Sequence, residues 1–213
     1  MAELSALVES LVNGEAEEVR ELTQKALDQG VPPGKILNDG LKSGMGFVQE
    51  EFRKGEFPMP KLLLAAKAMR AAMDILRPSL VSCGVRPIGK VALGTVKDDT
   101  HDFGKNIISV MLEGAGFEVH DLGVNVPPER FIKAAEDGAD IIAIYVLRNA
   151  ALVYMEATVK ILKKAGLGRS RILLTGTPVS ESFASRIGAD GYSQSAAGAV
   201  EKAKELVGSA SSQ

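Results

Sequence analysis

The sequence predicts a chain in two parts: an all-α bundle of four helices, then an α/β domain built on a five-stranded parallel sheet. Three observations predict it. Up to Pro78, apolar residues recur at helical spacing in four stripes separated by short breaks. From Val91 onward, short apolar runs alternate with longer amphipathic stretches, five times over. Between the two regimes, Gly84, Pro87 and Gly89 break any helix, while Arg86 and Lys90 keep the segment wet. The expected domains are 1–80 and 91–213, with a linker at 81–90 that serves as a hinge.

In the first part, Leu4, Leu7, Val8, Leu11 and Val12 form a stripe that Asn13-Gly14 ends. Glu15 to Gln29 follows, with Val19, Leu22, Ala26 and Leu27 on one face and Gly30 beyond its end. Val31-Pro32-Pro33 is a turn whose second proline suits the first turn of the next helix. Leu37, Leu41, Met45, Val48 and Phe52 make the third stripe, ended by Lys54-Gly55. Phe57-Pro58-Met59-Pro60 is extended, because each proline biases its predecessor away from helix. Leu62, Leu63, Ala66, Met69, Met73 and Leu76 make the fourth, closed at Pro78. Loops this short make the four helices an antiparallel bundle.

In the second part, strands are predicted at 91–95, 118–122, 140–146, 171–175 and 190–193, and helices at 104–115, 128–137, 151–165, 180–187 and 195–207. Strands this apolar are buried on both faces, as in a parallel sheet covered by helices. Five β–α units suggest the flavodoxin-like (Rossmann-like) strand order 2-1-3-4-5. Its ligand crevice lies at the carboxyl ends of the first and third strands.

The 213 residues carry a net charge of -2, with 24% charged side chains, which gives no sign of nucleic acid or an anionic membrane as partner. Cys83 is the only cysteine, so no intramolecular disulfide forms, which fits a reducing cytosol. No apolar run approaches the roughly 18 residues that span a bilayer. Met1-Ala2-Glu3-Leu4 lacks the basic start of a signal peptide, so a cytoplasmic setting is expected. The small, polar tail Gly208 to Gln213 is expected to fray.

The most informative stretch is Gly94 to Asn106, between the first strand and its helix. It places Asp99, Thr100, His101, Asp102 and Gly104 on a loop at the crevice. An imidazole two residues after a carboxylate can bind a metal through one nitrogen and donate its other N–H to that carboxylate. A Gly three residues further on lets a bulky group approach the backbone.

Asp98-Asp99-Thr100-His101-Asp102-Phe103-Gly104-Lys105-Asn106 resembles the signature G-D-x-H-D-I-G-K-N of methionine synthase and of the corrinoid proteins of methyltransferase systems. The resemblance implies that cobalamin binds base-off, with His101 as the lower ligand of cobalt and Asp99 as its hydrogen-bonded partner. The displaced nucleotide tail then enters a slot in the domain, lined by Gly104, Gly176 and Thr177. Gly44-Met45 through Leu62 resembles the helical cap of the same family, which implies that Met45, Val48, Phe52, Met59 and Leu62 cover the corrin. Leu147, Gly176 and Pro178 match the family after the third and fourth strands. So do Asp121-Leu122-Gly123, Val126-Pro127 and Ala189-Asp190-Gly191-Tyr192. The cofactor-binding residues thus implied are those cap residues with Asp99, Thr100, His101, Asp102, Phe103, Gly104, Tyr145, Leu147, Arg148, Asn149, Gly176, Thr177, Pro178 and Tyr192.

The chain departs from that pattern at three places. Tyr145 stands where Ser is usual, Thr175 stands for the first of two glycines, and Arg148-Asn149-Ala150-Ala151 replaces the usual threonines. A Tyr hydroxyl lies further from its backbone than a Ser hydroxyl and cannot bond Asp99 from the same place. Tyr145 is therefore expected to work at the cofactor, and Arg148 brings a fixed cation to the mouth of the site.

The function so implied is a methyl carrier between a donor-specific methyltransferase and an acceptor methyltransferase, re-reduced by an activating protein, and not a complete enzyme alone. A cobalamin-dependent sensor would carry a further signalling or DNA-binding domain. A flavodoxin-like domain for another phosphate-bearing ligand would purify without the red colour of a corrinoid.

Overall fold

The computed structural model describes residues 2–210, and side chains from 4 to 208. Half of the expected tail, Ser211 to Gln213, lies outside the described residues. The chain divides into two compact units, Met1–Arg86 with Gly114–Gly116 and Pro87–Glu113 with Phe117–Gln213.

The first unit is helical. α1 spans Ala2–Asn13 and α2 spans Ala16–Asp28. A short α3, Pro33–Lys35, runs directly into a π-helical stretch, Ile36–Lys42, and on into α4, Ser43–Lys54. α5 spans Met59–Ser82. α2 packs against α1 and α5, and α1 against α4, so the composite third helix completes a four-membered bundle. Gly14, at φ 78, turns the chain where a Cβ would stand 2.4 Å from the Cβ of Leu64. Gly40 and Gly44 let α1 in close: Cβ atoms there would meet Leu7 at 2.8 Å and Leu11 at 2.6 Å.

Three features of this unit differ from the sequence expectation. Met59 and Pro60, read as extended, open α5, where a proline in the first turn is tolerated. The π stretch is invisible in the pattern, because a stripe spaced by four, as in Leu37, Leu41 and Met45, suits an α turn and a wider π turn alike. Pro78 does not close α5, which continues to Ser82 with the proline inside it. An interior proline costs about 3 kcal/mol through its missing N–H and ring clash. Leu76 before it and Leu80 after it are both buried, and each such side chain contributes about 1.5–3 kcal/mol.

The second unit is a five-stranded sheet. β1 (Lys90–Val96), β2 (Glu118–Val126), β3 (Ile141–Tyr145), β4 (Arg171–Thr175) and β5 (Gly191–Ser193) run in the order β2-β1-β3-β4-β5, all parallel. That is the predicted order, with its crossover between β1 and β3. The connecting helices are α6 (Phe103–Ala115), α7 (Pro128–Glu136), α8 (Leu152–Ala165), α9 (Glu181–Ile187) and α10 (Ala196–Ala210). Ala92, Val96, Ile142, Ile144, Ile172 and Leu174 form one sheet face, packed with residues of α7, α8 and α9 such as Phe131, Met155 and Ala184. Strand alternation turns Thr95, Tyr145, Thr175 and Ser193 to the other face. These four sit side by side in register, one per strand, at the carboxyl end of the sheet.

β2 continues past Leu122, where the sequence reading ended it, to Val126. Its pairing with β1 slips twice, so that Leu93 faces Asp121, Gly94 faces Gly123 and Val96 faces Val126. Bulges of this kind accommodate extra residues at a sheet edge. At the base of α6, the fully buried Lys105 reaches Asp121 of β2 at 2.6 Å and Asn106 at 2.8 Å, which satisfies its charge.

Candidate functional site

The loop between β1 and α6 begins with a turn closed by the Asp99 N–H donating to the Val96 carbonyl at 3.1 Å. Asp98, the third residue of that turn, has φ 65, the left-handed conformation that favours Gly or Asn at such a place. That explains why the resembling signature carries Gly there.

The next residue, Asp99, is fully buried, and its carboxylate is saturated. Oδ1 accepts from the His101 backbone N–H at 3.0 Å and from His101 Nδ1 at 2.7 Å. Oδ2 accepts from the N–H groups of Leu147 at 2.7 Å and Arg148 at 3.0 Å, just past β3. Burial alone pushes the acid up. The Arg148 and Leu147 N–H groups and the His101 ring and N–H outweigh it, and hold Asp99 at about 2. Asp99 is therefore an anion, and His101 Nδ1 must carry a proton to face it. That leaves the Nε2 lone pair free to bind a metal, on a side chain 49% exposed. Thr95 Oγ donates to the His101 carbonyl at 2.8 Å and holds the loop from below.

Around His101, Thr100, Asp102, Phe103, Leu147, Arg148, Asn149 and Thr177 are exposed, and Pro178 is half-buried. Phe103 and Leu147 are large apolar side chains left open to solvent beside the imidazole loop, 53% and 40% exposed. Arg148 does not point free into the mouth: its Nη1 donates to the Asp98 carbonyl at 2.9 Å and lies 3.6 Å from Asp98 Oδ2. Asn125, which the sequence reading missed, donates its N–H to the Asp99 carbonyl at 2.9 Å, and its Oδ1 accepts the Asp98 N–H at 2.8 Å.

Below the loop, Tyr145 is buried, and its hydroxyl stands 2.2 Å from where a Cβ on Gly104 would lie. Burial, and then the nearby Asp99 charge, raise its phenol above the ordinary value. Its neighbour Thr175 is fully buried, with a hydroxyl that has no hydrogen-bond partner among the described residues. Gly176, at φ 124, lies so close to the Val146 carbonyl that a Cβ would stand 1.8 Å from its oxygen. Tyr192 is placed elsewhere: it packs with the core on the opposite sheet face. In the helical unit, Met45, Val48 and Leu62 are fully buried, whereas Phe52 and Met59 are partly exposed. The strongly exposed apolar side chains of those helices include Phe47 and Leu64.

Among the described residues no group of three or more His, Cys, Asp or Glu converges as a metal site. One oriented imidazole suits a metal that arrives with its equatorial ligands already in place, as cobalt does in a corrin. The apolar Phe103 and Leu147, and the Thr175 hydroxyl at the end of β4 that finds no partner among the described residues, fit such a large, part-polar macrocycle.

Comparison with known proteins agrees. The B12 binding domain family matches residues 89–201, and a second family of the same description matches residues 3–77. Dimethylamine corrinoid protein 3 of Methanosarcina acetivorans is 38% identical over 206 residues, covering 96% of each chain. Trimethylamine corrinoid protein 2 of the same organism is 36% identical, covering 93% of this chain and 94% of that one. Among solved structures, the methanol:cobalamin methyltransferase complex of Methanosarcina barkeri is 25% identical with a TM-score of 0.86, covering 97% of this chain and 80% of that one. A cobalamin-binding protein from Desulfitobacterium hafniense is 31% identical with a TM-score of 0.71, covering 95% and 98%. The chain belongs to the B12-binding corrinoid protein family of methyltransferase systems, and its cofactor is cobalamin.

Proposed function

We propose that the chain is a methyl carrier that binds cobalamin base-off, with His101 Nε2 as the lower axial ligand of cobalt. Cobalt, when bound, supplies the nucleophile that accepts a methyl group and the bond that gives it up. The remaining work belongs to the chain. Asp99 holds Nδ1–H, fixes the tautomer and aims Nε2 outward. Its saturation by backbone N–H groups keeps it ionised, so it strengthens the imidazole as a donor without taking its proton. Phe103 and Leu147 offer the apolar floor on which a corrin ring would rest. Phe52 and Met59, partly exposed in the helical unit, are the residues proposed to shield the other face.

The partners in this reading are a donor-specific methyltransferase and an acceptor methyltransferase, with a reductive activating protein restoring cobalt. A methylamine is the donor class supported by the names of the dimethylamine and trimethylamine relatives. The observation that carries the reading is the Asp99–His101 pair, in which Nδ1 is engaged while Nε2 has no partner among the described residues.

The test is His101→Ala in the full chain. It should remove the lower-ligand signature from the cobalt spectrum. It should also weaken cobalamin binding by more than the roughly 10–100-fold that loss of an outer-shell partner costs a metal site. An unchanged spectrum with retained tight binding would sink the axial assignment.

A further inference from the structure

Asp98 is the weak link in the loop that carries His101. It is a non-glycine residue at φ 65, and it immediately precedes the carboxylate on which the imidazole depends. Side chains from the two neighbouring strand ends hold both of its backbone polar groups. From the end of β2, Asn125 Oδ1 accepts the Asp98 N–H at 2.8 Å. From the end of β3, Arg148 Nη1 donates to the Asp98 carbonyl at 2.9 Å, with Asp98 Oδ2 also within 3.6 Å. Asn125 reaches one residue further as well, donating its N–H to the Asp99 carbonyl at 2.9 Å. It does so from a left-handed conformation of its own, at φ 52, which Asn tolerates better than most residues.

We infer that Asn125 and Arg148 are positioning residues for the axial ligand. They clamp Asp98 from both sides, and so fix the direction in which Asp99 presents Oδ1 to His101. The Asp99 carboxylate is tied to the β3 end through the Leu147 and Arg148 N–H groups, while the Asp99 backbone is tied to the β2 end through Asn125. Releasing one side lets the backbone at Asp98 relax toward ordinary φ and rotates the carboxylate away from Nδ1. Neither residue needs to touch the cofactor to act, and Arg148 at the mouth is spent on the loop rather than offered to a ligand. The inference rests on the reading of His101 as the cobalt ligand, so its test has an arm that needs no cofactor.

In the cobalamin-free full chain, nitrogen NMR at about pH 9, above the titration range of an ordinary imidazole, reports which ring nitrogen carries the proton. The chain has two histidines, so His120→Gln resolves the assignment. The wild type should show His101 as the Nδ1–H tautomer. Asn125→Gly keeps the left-handed backbone but removes the acceptor, and Arg148→Ala removes the other arm. Each should mix the tautomers, and each should weaken aquocobalamin binding by about tenfold, as losses behind a metal ligand do. Asn125→Asp keeps an acceptor oxygen and should behave as wild type. If Asn125→Gly and Arg148→Ala both keep a pure Nδ1–H tautomer, the clamp is overturned. It is equally overturned if Asn125→Asp fails as Asn125→Gly does. Mixed tautomers with unchanged aquocobalamin affinity would uphold the clamp and overturn the axial-ligand reading instead.

Discussion

Asp99 is a buried anion held by four donors, and that arrangement has a measurable consequence for stability. Its pKa falls from 3.8 to about 2 on folding, so the stabilisation is complete above pH ~4 and drains away as pH drops toward 2. The shift corresponds to about 2 kcal/mol. Asp99→Asn turns an amide NH₂ toward N–H groups that need an acceptor, and loses that contribution at every pH. The gap in unfolding free energy between wild type and Asp99→Asn should therefore be about 2 kcal/mol at pH 7 and shrink at pH 3. A gap that stayed constant across that range would show that the charge of Asp99 is not what its neighbours stabilise. The pair itself was legible in the sequence, because Asp-x-His on a strand-to-helix loop can bring a carboxylate within reach of an imidazole two residues on. Asn125 was not: its contact with Asp98 depends on where two bulges leave the end of β2, and no local pattern encodes that. Tyr192 shows the converse, since matching a motif gave its position while strand alternation sent it to the far face.

At the scale of elements, α6 and β3 interlock through one contact. The Tyr145 hydroxyl stands against Gly104 in the first turn of α6, 2.2 Å from the place of a Cβ, with Cζ at 2.7 Å. A larger residue at 104 thus collides inside the chain before any ligand arrives, and loss of cobalamin uptake in Gly104→Leu would not by itself locate a nucleotide slot. The contact is testable as a pair. Gly104→Ala should cost about 1–3 kcal/mol, the usual range for overpacking. In a Tyr145→Ser background that cost should mostly vanish, whereas in a Tyr145→Phe background it should persist, because Cζ still collides. Urea unfolding of the wild type, Gly104→Ala, Tyr145→Ser and the double variant gives the coupling, and a Gly104→Ala cost undiminished in the Tyr145→Ser background would mean that something other than the phenol confines Gly104. Tyr145→Phe alone should cost no more than about 1 kcal/mol, since no hydrogen bond from the hydroxyl is seen among the described residues. The elements themselves were readable where periodicity is strong, as in the strand order and in α6 to α10. They were misjudged at element ends: Pro78 was read as a stop, and the second strand was ended at Leu122 although it continues through a bulge to Val126.

At the scale of the molecule, the change from helical to alternating periodicity announced two parts, and the residues between Ser82 and Lys90 are where they join. Both ends of that segment are anchored. Val85 N–H donates back to the Leu80 carbonyl of α5 at 3.0 Å. Gly89 is buried with Val207 close by, and Lys90 exchanges hydrogen bonds with Asp140 through its N–H and carbonyl. Between these anchors Arg86, Pro87 and Ile88 are exposed, so the span free to bend is only a few residues long. We propose that this is the hinge about which the helical unit moves to let methyl donor and acceptor reach the cofactor. A short, exposed, unpaired segment between two packed bodies is the preferred point of proteolytic nicking. Brief proteinase K digestion of the cobalamin-loaded chain should therefore cut first between Gly84 and Ile88 and leave two resistant fragments. The red colour should follow the carboxyl-terminal fragment, because every residue assigned to the axial ligand lies after Pro87. Cys83, the single and exposed cysteine, reports the same event without cleavage, since a thiol-attached dye there should change its emission when a methyltransferase engages the chain. First cuts inside either unit, or a dye indifferent to the partner, would mean that the chain delivers its methyl group without bending at this joint.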